Sequence, residues 1–233
     1  MGKTIIQQAR GHGSKTYRVR PSAYIYKIGY PNLSSVGKAK IISLLNSSAH
    51  SCPLVKILLG NESFYIPAAQ GIYEGQEIEI GGSDLKVGNI ISLKNTVPNT
   101  QLFNIEIIPG DGGKIARTGG NSGIVLRKDN GRVIVLLSSK KEISINENSR
   151  ATIGVVAGQG RTIKPIAKAG KKHYMMKARN KLWPRTSAVK FNAVDHPFGS
   201  GRGKRIKSKI AKRNAPAGAR VGHLRHRRTG IKK

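Results

Sequence analysis

Asp195 and His196 are the neighbouring residues whose types come nearest to acid–base chemistry, since a carboxylate can orient an imidazole and stabilise its charge. Adjacent residues do not point to the same side in any regular structure, however, and Ser187 is merely available as a nucleophile. Pro197 and Gly199 instead favour a rigid turn. We therefore assign no catalytic residue, and His196 becomes a candidate for a hydrogen bond to a polar partner.

Two glycine-rich segments approach phosphate-binding loops without completing them. Segment 199–204 has the wrong spacing, and Arg205 stands where Ser or Thr must bind magnesium. At 158–160 the third glycine of a dinucleotide-binding loop is missing. These glycines instead let the backbone approach phosphate closely, while flanking Lys and Arg residues neutralise its charge.

The chain offers little for a metal ion. His223 and His226 have a metal-like spacing, but no cysteine or carboxylate is near them, and the arginines around them would repel a cation. Cys52 is the single cysteine, which excludes an internal disulfide and any multi-cysteine cluster. We predict no metal site and no cofactor, and leave open structural Mg²⁺ carried by a nucleic-acid partner.

Charge is very unevenly placed along the 233 residues, whose net charge is +31. Residues 1–40 carry eight Lys or Arg and no acid, residues 41–160 carry eleven against ten acids, and residues 161–233 carry twenty-three against Asp195 alone. Uncompensated cations repel one another, and a dense array of phosphates relieves that repulsion. The net charge far exceeds the ~2–8 that keeps a small domain soluble, so we predict a nucleic-acid partner.

Other classes of partner lack support. No run approaches the ~18–20 apolar residues of a membrane span. No convincing amphipathic helix offers a membrane-binding face, and the first residues lack the apolar core of a secretory signal. We expect a cytoplasmic protein without membrane association.

The middle of the chain has the pattern of small β-barrels, so the fold class is mainly β. Short apolar segments at 41–45, 55–59, 64–66, 77–80 and 90–93 are separated by Ser, Gly and Asn clusters. Residues 77–80 alternate charged and apolar side chains, as a half-buried strand does. We predict a five-stranded barrel of the oligonucleotide-binding type over residues 36–95.

A second series of strands predicts an SH3-like barrel over residues 96–165. The boundary between the two series lies near Pro98. The segments are 102–108, 114–117, 123–127, 133–138, 142–145 and 152–156. Asn130-Gly131 is typical of a tight hairpin turn, because both residues tolerate positive φ angles. Residues 133–137 are too apolar for an exposed position and predict a central strand. No helix of ten or more residues is expected within 41–160.

Two long basic extensions flank the barrels: an N-terminal arm over 1–35 and a largely irregular C-terminal extension over 166–233. Glycine and proline break any helix in the first arm, and neither extension buries enough apolar surface to order alone. One helix is predicted at about 171–180. Tyr24 and Tyr26 are expected to pack on the body, with stacking on bases or riboses as the alternative, and Trp183 either packs locally or stacks on a base.

Residues 192–199, Asn-Ala-Val-Asp-His-Pro-Phe-Gly, resemble the signature of the universal large-subunit ribosomal protein two family. The resemblance covers essentially the whole chain and extends to 10–18, 109–117, 169–171, 183–184, 221–223 and 227–230. Phe198, where the bacterial form has a second histidine, and the short tail are similar to the archaeal form. The chain departs from the family at Ser187-Ala188, usually Arg-Gly, and at Ser200, which interrupts three glycines.

The resemblance implies a primary binder of large-subunit ribosomal RNA. Such a protein would stabilise RNA near the peptidyl-transferase centre and support subunit association and tRNA placement, with one copy per ribosome. Neighbouring ribosomal proteins would be partners, and a contact with the small subunit is left open. Because RNA is the catalyst there, His196 would contribute to local RNA geometry.

The residues predicted to bind RNA are mostly cations, with one indole and one imidazole. They are Arg10, Lys15, Arg18, Lys114, Arg117, Arg161, Lys171, Lys172, Arg179, Trp183, Arg185, His196, Arg202, Lys204 and Arg205. Two alternatives stay open at this point: a general RNA chaperone, and a ribosome-associated enzyme that acts on RNA through Asp195 and His196.

Overall fold

The computed structural model describes residues 3–201, 214–216, 218, 219 and 221. Arg202, Lys204, Arg205, His223 and His226 lie outside the described residues. Contacts divide the chain into a smaller unit, 1–19 with 179–233, and a larger unit, 20–178.

The larger unit is built on one ten-stranded sheet, which confirms the mainly β prediction. The strand order is β3-β2-β1-β4-β5-β10-β6-β7-β8-β9. The strands are β1 Gly37–Leu45, β2 Leu54–Leu59, β3 Glu62–Pro67, β4 Glu77–Ile80, β5 Ile90–Ser92, β6 Gln101–Phe103, β7 Gly123–Asp129, β8 Arg132–Leu137, β9 Glu142–Asn146 and β10 Arg150–Ile153.

The sheet contributes to two apolar cores, one for each half of the strand order. Ile41, Ile57 and Ile78 belong to the first, and Val125 and Val135 to the second. Antiparallel pairing joins β1 to β2 and β4, while β10 joins β5 to β6, so β10 links the halves. Closure of each half into a barrel stays a prediction.

Two predicted strands of the second half are wrong in extent. The segment 102–108 leaves the sheet after Phe103, and 114–117 forms only an isolated bridge between Ile105 and Ile115. Asn104 has a φ of 49°, and the glycines at 110, 112 and 113 have φ angles of 81–85°. Positive φ angles take a chain out of the extended conformation, so this apolar sequence folds back as a loop.

Three other predictions in the body are confirmed. Asn130 and Gly131 have φ angles of 45° and 73° between β7 and β8, as the hairpin requires. Strand β8 lies between β7 and β9, so it is internal to the sheet. Within 41–160, all of it described, the helical elements are the short 3₁₀ turns Leu93–Asn95 and the start of Gln159–Thr162.

Parts of both predicted extensions belong to the larger unit by contact. Tyr26 and Ile28 pack on a third apolar cluster that includes Phe103. The Tyr26 and Tyr65 ring centroids are 5.1 Å apart, as expected from packing. Helix α2, Ala169–Ala178, confirms the predicted helix, although it begins and ends two residues before the predicted bounds. None of its residues is buried. Pro21–Ala23 forms a 3₁₀ turn.

The smaller unit brings segments from both ends of the chain together. Helix α1, Ile6–Gly11, lies in the first arm, so the expectation that glycine and proline exclude helix there is wrong for this segment. Ile5, Phe198 and Val221 form a small buried core. The backbone N–H of Lys3 donates to the Val194 carbonyl at 2.7 Å. The unit also has 3₁₀ turns at Lys15–Tyr17 and Ala188–Lys190.

A buried ion pair, Arg150 with Glu106, holds three distant segments of the larger unit together. The Arg150 Nη2 atom lies 2.9 Å from Glu106 Oε1, and the two side chains are 8% and 0% exposed. The Glu106 carboxylate also accepts the backbone N–H groups of Arg150, Gly110 and Gly112. Nη1 of Arg150 donates to the Pro31 carbonyl at 2.9 Å. The hydrogen-bonding groups that offset the cost of burying these two charges therefore come from the protein itself.

Tyr30 completes the same cluster. Its ring centroid lies 5.2 Å from the Arg150 guanidinium carbon, and its hydroxyl donates to the Asn104 carbonyl at 2.8 Å. Thr152 Oγ1 is 2.7 Å from that hydroxyl. Burial raises the pKa of Tyr30, so it stays neutral.

Replacing Arg150 by Met should be strongly destabilising. The change keeps the length of the side chain but leaves the Glu106 carboxylate buried without its cation, at an expected cost of about 3–5 kcal/mol. Urea unfolding of the full chain, followed by circular dichroism, measures the change. Lys86→Met is the control, because its ion pair with Asp84 is exposed and is worth at most about 1 kcal/mol. Equal losses in both variants would contradict this account of the buried pair.

Candidate nucleic-acid interface

The smaller unit concentrates the positive charge. Residues 1–19 and 179–233 contain twenty-one Lys or Arg and one acid, Asp195. Asp195 Oδ1 lies 3.9 Å from Lys3 Nζ, and this is the single ion pair found among the described residues of that unit. The sequence of this unit supplies no second acidic side chain for its other cations, so an external polyanion would be suited to neutralise them.

The predicted RNA-binding residues differ in accessibility. Those exposed are Lys15, Arg18, Lys114, Arg161, Lys171 and Arg185, those half-buried are Arg10, Arg117, Lys172, Arg179 and Trp183, and His196 is buried. Exposed cations can reach phosphate directly. The half-buried ones have contacts within the protein that a nucleic acid would share or replace.

Arg10 is held by its own unit. Its Nη2 atom donates to the Asn180 carbonyl at 2.8 Å, and its guanidinium carbon lies 5.8 Å from the centroid of the Tyr17 ring. Arg179, the residue before Asn180, has a buried Nε atom without a hydrogen-bond partner in the described structure. Arg10 therefore fastens the first arm to the start of the last segment, as well as contributing charge.

A glycine-rich turn, residues 109–113, positions cations in the larger unit. The Asp111 carboxylate accepts the backbone N–H groups of Gly113 and Ile107, at 3.0 and 3.1 Å. Burial opposes ionisation of Asp111, but these hydrogen bonds and the nearby Lys114 outweigh it and lower its pKa. Lys114 Nζ lies 3.4 Å from Asp111, and the Lys114 side chain is largely exposed, so it can also face solvent anions.

Two more of the predicted cations, Arg117 and Arg161, donate hydrogen bonds to backbone carbonyls at the end of this turn and just after it. Arg117 Nη1 donates to the Gly113 carbonyl at 3.0 Å, and Arg161 Nε donates to the Gly119 carbonyl at 3.1 Å. Burial lowers the pKa of Arg117, although a guanidinium stays protonated at neutral pH. The structure thus gathers Lys114, Arg117 and Arg161 around one loop, although Arg161 lies more than 40 residues further along the chain.

His196 does not form a dyad with Asp195 among the described residues. Its Nδ1 atom accepts the Phe198 backbone N–H at 3.0 Å, while the Asp195 carboxylate faces Lys3. The imidazole lies between Phe191 and Phe198, whose ring centroids are 6.0 and 5.0 Å away. Burial lowers the pKa of His196. A neutral ring whose Nδ1 accepts a hydrogen bond carries its proton on Nε2, which leaves a hydrogen-bond donor.

The turn at 192–199 depends on glycine at its end. The Asn192 carbonyl accepts the N–H groups of Asp195 and His196, at 3.0 and 3.2 Å. A Cβ atom at Gly199 would collide with that carbonyl, so no other residue fits. The turn predicted from Pro197 and Gly199 is present, and close packing on Asn192 is what requires glycine there; its rigidity stays a prediction.

Sequence reasoning missed Tyr30, Glu106 and Arg150, which organise the turn at 109–113. The available signal was a single acid, Glu106, within the apolar segment 102–108, because a lone charge in such a run must find a buried partner. Nothing in the sequence identified Arg150 as that partner, 44 residues later.

Metal-binding and membrane-spanning features are not found in the described part of the chain. Its His, Cys, Asp and Glu residues form no group of three that could hold a metal ion. No helix there is long and apolar enough to cross a membrane.

Comparison with known proteins identifies the family. Residues 86–218 match the family model described as Ribosomal Proteins L2, C-terminal domain. The chain belongs to the ribosomal protein L2 family. Relatives named large ribosomal subunit protein uL2 are 43% identical over 237 residues in Hyperthermus butylicus and 44% identical over 240 residues in Archaeoglobus fulgidus, covering all of both chains. The uL2 of Sulfolobus acidocaldarius is 39% identical over 99% of this chain and 98% of its own length. The archaeal form of the family is therefore confirmed.

Substitution of Gly113 by Ala should disturb the turn that carries Lys114. Gly113 has a φ of 84°, and an added Cβ would collide with the Asn104 carbonyl, so we expect a loss of about 1–3 kcal/mol. Gly160→Ala is the control, since nothing lies within 4 Å of its Cβ position, and should change stability by less than about 0.5 kcal/mol. Thermal and urea unfolding measure both variants. A G113A protein as stable as G160A would show that this turn tolerates a side chain.

The hydrogen bond from Phe198 to His196 should depend on pH. A lowered folded-state pKa means that the unfolded chain binds protons more readily, so stability is full above about pH 6.5 and falls as pH decreases toward the folded value. The Phe198 backbone amide, followed by NMR in the full chain, should shift as Nδ1 takes a proton, with a midpoint below the ~6.5 of an ordinary imidazole. In His196→Asn the side-chain oxygen can accept the same hydrogen bond but does not titrate. A pH-independent Phe198 amide in the unmodified protein would contradict the assignment.

Proposed function

We propose that this chain is a structural constituent of the large ribosomal subunit and binds its ribosomal RNA. The observation that carries the proposal is the smaller unit, with twenty-one Lys or Arg against one acid, in a chain whose relatives are named large ribosomal subunit proteins. Such an excess suits a dense, converging array of phosphates.

The binding mechanism would be electrostatic and would order the extensions. Exposed cations such as Lys15, Arg18 and Arg185 neutralise phosphates and release their counterions. That release offsets the conformational entropy lost when segments with little apolar surface become fixed. The core found among the described residues of that unit, Ile5 with Phe198 and Val221, supports this mechanism, because so small an apolar cluster contributes little free energy to offset that entropy.

The loop that follows β6 would supply a second, more rigid contact. Lys114, Arg117 and Arg161 are placed there by backbone hydrogen bonds and by the turn at 109–113, so fewer side chains need ordering when RNA binds. The exposed Lys171 and the half-buried Lys172 of α2 extend the basic surface of the larger unit.

The finer role follows from the family resemblance. The protein would stabilise RNA near the peptidyl-transferase centre, support subunit association and tRNA placement, and be present once per ribosome in the cytoplasm. Other ribosomal proteins would be neighbours, and Mg²⁺ in the complex would be bound by the RNA. No catalytic role is proposed, because the Asp195 carboxylate faces Lys3 instead of orienting His196.

Neutralising exposed arginines should reduce the salt dependence of RNA binding. In the double variant Arg18→Gln/Arg185→Gln, the slope of log affinity against log salt should fall by about 1 for each phosphate that the protein no longer neutralises. Filter binding to a large-subunit ribosomal RNA transcript at several salt concentrations measures the slope.

The control is Lys140→Gln/Lys141→Gln, which removes the same charge from the nearly neutral middle of the chain. These lysines lie in the connection between β8 and β9, and their removal should leave the slope almost unchanged. Equal slopes in the two double variants would count against the arms as the RNA-binding surface.

A further inference from the structure

The smaller unit contains a cavity to which the phosphate contacts proposed above assign no role. Its volume is about 460 Å³, and its wall includes Lys3, Ile5, Gln8, His196 and Pro197. This volume falls within the roughly 300–1,000 Å³ of small-molecule sites. One mononucleotide group can enter a space of this size.

The cavity is built by the fold from both ends of the chain. The hydrogen bond from the Lys3 N–H to the Val194 carbonyl joins two of its walls. Ile5, which lines the cavity, belongs to the buried core with Phe198 and Val221. The first arm and the 192–199 turn therefore both contribute to this space.

His196 supplies a fixed polar group on this wall. His196 as a residue is 7% exposed, and its Nδ1 atom accepts the Phe198 N–H. The Nε2–H donor has no protein partner among the hydrogen bonds of the described residues, and the imidazole lines the cavity. This donor is not among the buried polar atoms that lack a partner, so it is accessible from the cavity and a ligand acceptor could take the place of water on it.

The remaining wall combines charge with apolar surface. Lys3 provides a cation, and its side chain is 74% exposed. Gln8 offers an amide that can donate and accept, and Pro197 and Ile5 offer apolar contact. An unstacked nucleotide presents a phosphate, which a lysine can bind, and a free base edge, which an imidazole N–H and an amide can bind.

We propose that this cavity binds a single unstacked nucleotide of the ribosomal RNA, with the His196 Nε2–H donating to an acceptor on the base. The inference rests on the proposed function and adds to it a contact that can distinguish one RNA base from another. Phosphate contacts by the arms carry no base information, whereas a donor fixed in a cavity distinguishes bases by the acceptor that each presents.

Two substitutions of His196 separate its two nitrogen atoms. His196→Asn places an oxygen near the Nδ1 position, so the Phe198 hydrogen bond can persist while the donor at Nε2 is removed. His196→Gln places an amide N–H near the Nε2 position and can retain that donor. His173→Asn is the control, since His173 is exposed on α2 in the larger unit.

The first experiment titrates the full chain with AMP, GMP, CMP and UMP, and separately with inorganic phosphate, while NMR follows the His196 ring and the Phe198 amide. We expect at least one nucleotide to shift these signals, with affinity reduced roughly three- to tenfold in H196N and retained better in H196Q. No shift with any nucleotide, or the same shift with phosphate alone, would overturn the proposal.

The second experiment probes a large-subunit ribosomal RNA transcript chemically with each variant bound. One nucleotide should be protected at its base edge by the unmodified protein and by H173N, and should become reactive with H196N. If the unmodified protein binds this RNA but H196N gives the same base reactivity, the nucleotide site is wrong and the proposed function stands. If the unmodified protein does not bind the RNA in preference to an unrelated transcript, the proposed function itself fails.

Discussion

The buried pair of Arg150 and Glu106 is the interaction on which the larger unit depends. Neither charge could leave water alone, because the cost of desolvation exceeds what one hydrogen bond returns. The fold offsets this cost by giving Glu106 the N–H groups of Gly110 and Gly112, and Arg150 the Pro31 carbonyl. The loop that carries Lys114 and Arg117 is therefore fixed through the same contacts that compensate the buried charges.

This arrangement separates two kinds of charge in the molecule. Some charges of the larger unit are matched within the protein, as for Arg150 and Glu106, or are held by carbonyl groups, as for Arg117, although its sequence still has twenty-one Lys or Arg against ten acids. Charges in the smaller unit are mostly left unmatched, since Asp195 is its one acid. The excess of cations for its length is greater in the smaller unit, so an external polyanion would stabilise that unit most.

Much of the fold could be predicted because its signals are local. The alternation in β4 and the Asn130-Gly131 turn depend on neighbouring residues, and both are confirmed. The strands predicted at 102–108 and 114–117 failed because apolar content alone does not report backbone direction. Asn104 and the glycines at 110–113 reverse the chain there, and the positive φ angles that allow it are decided by packing against Tyr30 and Glu106.

The sequence by itself determined the mainly β body, the basic extensions and the affinity for a polyanion, since composition and short-range periodicity follow directly from the order of residues. Only the tertiary structure decided that Arg150 pairs with Glu106, that Arg161 joins Lys114 and Arg117, and that His196 faces a cavity instead of Asp195. These relations join residues far apart in the chain. They depend on which groups can satisfy one another when water is removed, a condition that no local pattern encodes.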